Sequence, residues 1–281
     1  MDKAQEVFRV GLVQMCSADD HQSNIATVSE LTAKAADAGC ALVALPEVSG
    51  LMNRHADPEN DLFTAATDPC IAAYRQLAKS FGIWMHIGST PVLGGKGGRL
   101  LNHSALINSE GEIVAEYDKI HLFDITLPNG NMIKESSRYS PGEDAVLAMT
   151  PWGPFGMTVC YDLRFPGLFR GYAQSAARLV FVPSAFTIPT GKAHWDVLLR
   201  ARAIENGCFI VAAAQVGNHA DGRKTFGHSM VVDPWGKVVV DMDDTVGLQI
   251  VDIDLRQVDA RRSQIPSICH DRPFTSPNAP P

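Results

Sequence analysis

Three side chains with complementary chemistry each stand where a strand-like run gives out. Glu47 ends the apolar run ALVALPE, Lys119 ends EIVAEYDK, and Cys160 ends GMTVC, after which the chain turns polar at once with Tyr161, Asp162 and Arg164. A thiol attacks a carbonyl carbon only once it has become a thiolate. A carboxylate beside it can take the proton, and an ammonium nearby favours the thiolate and then the oxyanion that develops. In α/β proteins the carboxyl ends of strands are where such groups converge. The three lie far apart in the chain, so only the fold can bring them together. Each also has a plain structural reading: Glu47 as a solvated residue after a strand, Lys119 as a turn lysine beside His121, and Cys160 as a packed core thiol.

Rival bases and ligands are present. Among the nine histidines, His121 follows Lys119 by two residues and His194 opens a helix-like stretch. Composition leaves a papain-like cysteine–histidine pair open, although none of the nine sits in a recognisable cysteine-protease context. The six cysteines (Cys16, Cys40, Cys70, Cys160, Cys208 and Cys269) are dispersed, with no C-x-x-C pair, so neither a disulfide framework nor a zinc site is indicated. Cys40, Cys70 and Cys208 sit among alanines and aliphatics and read as small buried hydrophobes.

The elements that must position these groups are legible in outline. Residues 8–15 read as a strand, and residues 24–38 carry apolar residues at helical spacing before a stop at Gly39. ALVALPE is a short buried strand ended by Pro46, which has no N–H for a ladder. CIAAYRQLAKSFG reads as a helix leading into the strand IWMHIGST. Hairpins are signalled by HSALINSEGEIVAEYDK around Glu110-Gly111 and by VVDPWGKVVVD, with its turn at Pro234 to Gly236. Between them, the buried strands RLVFVPSAF and CFIVAAAQVG flank the helix TGKAHWDVLLRARAIENG, with Trp195, Leu198, Leu199 and Ala203 on one face. Continuous apolar strands alternating with amphipathic helices predict an α/β protein with helix-covered sheets, and the hairpins make those sheets mixed. One domain over 1–274 is expected, followed by a flexible tail at 275–281.

Bulk properties narrow the partners. The 281 residues carry a formal net charge of −7, so a nucleic acid finds no electrostatic footprint. Apolar runs such as FIVAAA are too short to cross a bilayer, and MDKAQEVFRV lacks the apolar core of a signal peptide. The expectation is a cytoplasmic protein acting on a small molecule, with neither nucleic acid nor membrane as partner.

LPE around Glu47, YDKIHLFD around Lys119 and GMTVCYDLRFP around Cys160 resemble the three signature segments of the nitrilase superfamily, the carbon–nitrogen hydrolases. Order, strand-end placement and flanking residues agree, and the likeness runs from about residue 8 to about residue 274. The resemblance implies a four-layer α-β-β-α sandwich with two mixed sheets covered by helices. It also implies a homodimer or higher homo-oligomer pairing helices on the nucleophile side, with GLFRGYAQSAA at 167–177 as the candidate element.

For the site, the resemblance implies Cys160 as nucleophile, Glu47 as proton acceptor, and Lys119 with the backbone N–H of Tyr161 as oxyanion donors. It implies a second glutamate that orients Lys119: Glu135 in MIKESSRYSPGE matches that place, while Glu143 reads as part of a turn before a strand at 145–149. The implied reaction is amide hydrolysis through a thioester, with no metal or organic cofactor. His121 and His194 then become hydrogen-bonding neighbours. Residues 181–219 and GHSMVVDPWG resemble an amidase branch that releases a 2-oxo dicarboxylate from an amide-linked dipeptide, more than the omega-amidase branch; N-carbamoyl amino acid hydrolysis is a further alternative. Ser184, Phe186 and Thr187 are expected to line the pocket beside Cys160. Arg164 and Arg170 are candidates to hold a substrate carboxylate, with a structural salt bridge as the alternative for each. A scaffold that has lost catalysis and only binds is the alternative of another class. The retained set of Glu47, Lys119, Glu135 and Cys160, which core packing does not call for, favours an enzyme.

Overall fold

Strand β1 (Val7–Gln14) sets the layering of the molecule. Its Phe8, Val10 and Leu12 belong to one buried cluster, while Val13 and the following Met15 belong to another, the alternation of a strand covered on both faces. Strand β2 (Leu42–Ala44) divides the same way, with Leu42 and Ala44 in the first cluster and Val43 in the second. Helix α1 (His21–Asp37) adds Val28, Leu31 and Ala35 to the second cluster, and α2 (Pro69–Phe81) adds Ile71, Tyr74 and Ala78. Both helices begin on an aspartate, Asp20 and Asp68, whose side chain accepts a first-turn N–H. The computed structural model describes residues 6–126, 130 and 132–275, so the tail expected from 275 lies outside the described residues after Thr275.

The first sheet continues through β3 (Trp84–His86), β4 (Thr90–Leu93), β5 (Leu100–Ile107) and β6 (Ile113–Asp118). Strands β1, β2 and β3 are parallel, and β4 to β6 join antiparallel. The β5–β6 hairpin turns where expected, its Gly111 N–H bonded to the Asn108 carbonyl at 3.0 Å and its φ of +80° one that glycine adopts freely. A small ribbon follows, β7 (Asp124–Thr126) with β8 (Met132–Lys134).

The second sheet repeats the plan with β9 (Leu147–Thr150), β10 (Gly153–Met157), α3 (Pro166–Gln174), β11 (Leu179–Phe181), α4 (Ile188–Asn206) and β12 (Phe209–Ala212). Strands β10, β11 and β12 are parallel. A second ribbon, β13 (Val216–Asn218) with β14 (Lys224–Phe226), precedes β15 (Met230–Val232) and β16 (Val238–Asp241), which extend the sheet antiparallel. Finally β17 (Gly247–Asp254) returns to the first sheet and pairs antiparallel with β1 from Val7↔Asp254 to Gln14↔Gly247, before α5 (Arg256–Gln264).

The two sheets face each other across aromatic contacts: Phe8 with Phe155 at 6.0 Å between ring centroids and His86 with Phe181 at 4.1 Å. On the outer face of the second sheet Tyr172 of α3 and Trp195 and Leu199 of α4 are buried. A Cβ at Gly156 would meet the Tyr172 ring at 2.9 Å, so the glycine lets α3 close on β10. The architecture is a four-layer α-β-β-α sandwich of two mixed sheets covered by helices. Among the described residues, no helix is long and apolar enough to cross a membrane.

Three boundary differences bear on the site. Helix α3 ends at Gln174 and not at 177, because Ala176 takes a left-handed φ of +66°. Strand β2 stops at Ala44 and β10 at Met157, so Glu47 and Cys160 stand three residues beyond their strands; Lys119 alone follows its strand directly. Pro46 has no N–H to continue the first ladder. In the second case the Val159 N–H turns out of the sheet to the Asp162 carboxylate at 2.8 Å.

Candidate active site

Lys119 is held at both ends. Its backbone N–H bonds to the Asn102 carbonyl on β5 and its carbonyl accepts from Gly142. Its Nζ donates to Glu47 Oε1 at 2.9 Å and to both Glu135 oxygens at 3.0 Å. The lysine is 2% exposed and Glu47 5% exposed, so this charge cluster is buried. Glu135 opens the single turn Glu135–Ser137 after β8, and its carboxylate also accepts the Phe123 N–H at 2.6 Å. Glu143 lies elsewhere, in an exposed ion pair with Lys96.

Asn102 joins the cluster, a residue that sequence reasoning missed. Its Nδ2 donates to Glu47 Oε1 at 2.9 Å and reaches Glu135 Oε1 at 3.5 Å. Its buried Oδ1 has no protein partner among the described residues. Gln215 supports Glu47 from behind, donating to the Glu47 carbonyl at 2.9 Å and to Ser17 Oγ at 2.6 Å.

Cys160 opens the turn Cys160–Arg164 with a left-handed φ of +52°. Val48, next to Glu47, has a φ of +53°. Such backbone is costly for residues with a Cβ, most of all a β-branched one, and persists only where the surroundings impose it. Here the Cys160 N–H is bonded to the Pro183 carbonyl at 2.9 Å and the Val48 N–H to Ser89 Oγ at 2.9 Å. The thiol is a hydrogen-bond partner of the Glu47 carboxylate and of the Ala185 N–H.

The electrostatics define a resting state. Burial pushes the Glu47 carboxyl up, but the Lys119 ammonium and the hydrogen bonds from Cys160, Lys119 and Asn102 outweigh it and hold it below the usual carboxylate range. Burial alone would lower the Lys119 ammonium; Glu135 and Glu47 raise it well above its ordinary value. Burial and the Glu47 charge push the Cys160 thiol well up, against the pull of Lys119. The resting site is therefore a neutral thiol beside a charged glutamate and a charged lysine. Lys119 favours the thiolate, as its charge implies, but a second negative charge beside Glu47 in a buried site costs more than Lys119 returns. Proton removal must accompany attack on the substrate.

These residues form the floor of a cavity of about 1020 Å³. Tyr161, Phe186 and Thr187 line it, as expected, together with Ala185, Phe123 and Tyr139. Ser184 does not line it: the residue is fully buried and its hydroxyl returns to the Val182 carbonyl at 3.1 Å. Arg164 is also absent from the wall. Its guanidinium lies 5.8 Å from the Tyr161 ring and 5.6 Å from the Phe186 ring and meets His194 Nδ1 at 3.2 Å, so it packs behind two lining aromatics. Arg170 is ion-paired with Asp271 and bonded to the carbonyls of Glu205 and Ser267. His121 stacks on Phe165 and bonds to Asp162, and neither His121 nor His194 lines the cavity. Three possible metal ligands, His228, Asp241 and Asp243, come within 4.8 Å of one another, but none of them lines the cavity.

Known proteins share this arrangement of chain. The Carbon-nitrogen hydrolase family matches residues 9–263. Deaminated glutathione amidase from Yersinia enterocolitica is 42% identical over 271 residues, which cover 94% of this chain and 92% of that one. The crystal structure of the Caenorhabditis elegans NitFhit protein aligns with a TM-score of 0.88 at 37% identity, covering 96% of this chain; the chain spans 66% of NitFhit's length. A mutant of an amidase from Nesterenkonia sp. AN1, showing Michael addition of acrylamide at its active-site cysteine, aligns with a TM-score of 0.75 at 27% identity over 92% of this chain and 98% of that one. The chain belongs to the carbon-nitrogen hydrolase family. It is a hydrolase acting on carbon–nitrogen bonds other than peptide bonds.

Proposed function

We propose that the protein hydrolyses the amide of deaminated glutathione, releasing a 2-oxo dicarboxylate and a dipeptide, a metabolite-repair reaction performed at Cys160. The observation that carries the chemistry is the meeting of the Cys160 thiol, Glu47, Lys119 and Glu135 on one cavity floor. The substrate comes from the likeness to deaminated glutathione amidases over nearly the whole chain.

In this proposal Glu47 takes the thiol proton as Cys160 attacks the carbonyl carbon. Lys119 and the Tyr161 N–H hold the oxyanion, and the Glu47 proton passes to the nitrogen as the C–N bond breaks. Water then gives a proton to Glu47 and its oxygen to the thioester carbon, and the proton returns to the sulfur. Glu135 keeps Lys119 charged and aimed and moves no proton.

The proposal includes action in the cytoplasm and a homodimer. All six cysteines are free thiols, Cys16 and Cys269 of them exposed, as a reducing compartment leaves them. Helix α3 exposes Gly167 and Gly171 with open space above each, which suits close approach of a second copy. Light scattering of the purified protein tests the dimer.

Kinetics with deaminated glutathione, 2-oxoglutaramate and a simple nitrile test the substrate, with products followed by mass spectrometry. The expected order places deaminated glutathione first in kcat/KM and the nitrile far behind, since its linear carbon suits neither donor. A higher kcat/KM for 2-oxoglutaramate or the nitrile would overturn the substrate while leaving the cysteine chemistry standing.

A further inference from the structure

The cavity wall is cationic in a chain of net charge −7. Six lysines and arginines line it (Arg54, Lys119, Lys134, Arg138, Arg223 and Lys224) against two glutamates, Glu47 and Glu135, both of which are engaged by Lys119. Two of the other cations are compensated. Arg223 places Nε at 2.7 Å and Nη2 at 2.6 Å from the buried Asp221 carboxylate, and the Arg54 guanidinium places its Nε at 3.9 Å from the same carboxylate. Lys134 and Lys224 are exposed.

Arg138 is different. It is half-buried, its Nη1 donates to the Asn53 carbonyl at 3.0 Å, and no carboxylate pairs with it among the described residues. A guanidinium has about five N–H donors in a planar fork that matches a carboxylate, and withdrawing such a charge from water without a counter-charge is costly. Its position is also fixed relative to the nucleophile. The Arg138 N–H bonds to the Glu135 carbonyl at 3.0 Å, so one short turn links this cation to the glutamate that holds Lys119. Tyr139, next in the chain, lines the cavity too, as does Arg223.

We propose that Arg138, with Arg223 and Tyr139 on the same cavity wall, is the subsite that binds a carboxylate of the substrate. The inference rests on the amidase reading above, whose substrate carries one carboxylate on each side of the amide. Arg138 supplies the uncompensated charge, Arg223 is held in place by Asp221, and Asn53 anchors Arg138 to the loop that also bears Arg54.

The test compares wild type, R138Q, R138K and, as a control for lost charge outside the cavity, K237Q. Alkylation of Cys160 by iodoacetate and by iodoacetamide needs no substrate. The iodoacetate-to-iodoacetamide rate ratio should fall roughly tenfold in R138Q, partly recover in R138K and stay at the wild-type value in K237Q, since a charge-assisted hydrogen bond to the anion is lost. With deaminated glutathione, KM should rise roughly 10–100-fold in R138Q, more than kcat falls, and R138K should recover part of it. An unchanged alkylation ratio in R138Q overturns the subsite, and so does an unchanged KM. If the ratio falls as expected but wild type does not turn over deaminated glutathione, the substrate reading fails and the carboxylate subsite stands.

Discussion

Asp162 accepts two hydrogen bonds from His121, from the backbone N–H at 3.0 Å and from ring Nδ1 at 2.7 Å. Its other oxygen accepts from the Val159 N–H at 2.8 Å and the Tyr117 hydroxyl at 2.7 Å. Lys119 lies between Tyr117 and His121, and Cys160 lies between Val159 and Asp162. One fully buried carboxylate therefore ties the turn bearing the lysine to the turn bearing the thiol.

Asp162→Asn tests that tie. The amide nitrogen cannot accept, so the bonds on one oxygen are lost and a donor faces donors. The expected cost is about 2–4 kcal/mol of stability, from unsatisfied buried groups, with kcat falling about tenfold or more as the two turns shift. Urea unfolding and steady-state kinetics measure both. Full kcat in a destabilised variant would show that Asp162 holds the fold and does not position the site.

The left-handed backbone at Cys160 separates chemistry from strain. Cys160→Ala should lose turnover and keep the fold, because no nucleophile remains to form the thioester. Cys160→Gly should be equally inactive yet more stable than Cys160→Ala by about 1 kcal/mol, since glycine takes a positive φ without penalty. Calorimetry on the two variants decides it; equal stability would mean that the turn stores no strain there.

The two glutamates should part under alkylation. Glu47→Gln removes the partner of the thiol, so iodoacetamide should react more slowly with Cys160 than in wild type. Glu135→Gln acts through Lys119 and should leave more of that reactivity while lowering kcat. Lys119→Ala should lose about 10²–10³ in kcat, the usual worth of an oxyanion donor. It also strands the buried Glu47 carboxylate, at a cost of about 3–5 kcal/mol. Equal loss of thiol reactivity in both glutamine variants would mean that their roles are wrongly divided.

Lys119 first, and Asn102 in smaller part, set the acid limit of activity. The Asn102 hydrogen bond is among the interactions that hold the Glu47 carboxyl below the usual range. Activity needs the carboxylate, so on the acid side it is lost as pH falls through the folded value. Asn102→Ala removes one stabilising donor and raises that value, so the acid limb of kcat/KM should move to higher pH. A pH profile of the variant with an unmoved or lowered acid limb would contradict this.

What could be read in advance follows from how local each signal is. Glu47, Lys119 and Cys160 stand where apolar runs turn polar, and the hairpin at Gly111 is written in a few adjacent residues. Asn102 gave no such signal, because it lies within β5, where one polar residue among apolar ones says only that a partner exists. Asp162 was visible as part of the polar change after Cys160, but its partners Tyr117, on β6, and His121, in the loop after it, belong to the other half of the fold. Ser184 misled because its residue type suits a pocket wall, whereas only the backbone course shows the hydroxyl satisfied by Val182. Arg164 misled in the same way, its charge being taken up by the rings of Tyr161 and Phe186 and by His194. The meeting of the two sheets face to face came from the family resemblance and not from the strands themselves, since strands buried on both sides look alike from either face.

Where the sheets meet, His86 gives the fold a dependence on pH that is separate from catalysis. It is 1% exposed, stacks on Phe181, and its Nδ1 accepts the Gly88 N–H at 3.3 Å. Burial pushes its imidazole down to about 3, whereas in the unfolded chain it titrates near ~6.5. Between those values the unfolded chain binds a proton that the folded one refuses. The stabilisation is thus fully present above the unfolded value and is lost as pH falls from there toward the folded one. Each pH unit in that window removes about 1.4 kcal/mol, or about 2 kcal/mol between pH 6.5 and 5, before most carboxylates titrate. Urea unfolding of wild type and His86→Gln at several pH values should show a slope smaller by one proton in the variant. Whatever slope remains there belongs in part to His219, which burial also lowers. Equal slopes in the two proteins would mean that His86 takes up its proton without opening the interface between the sheets.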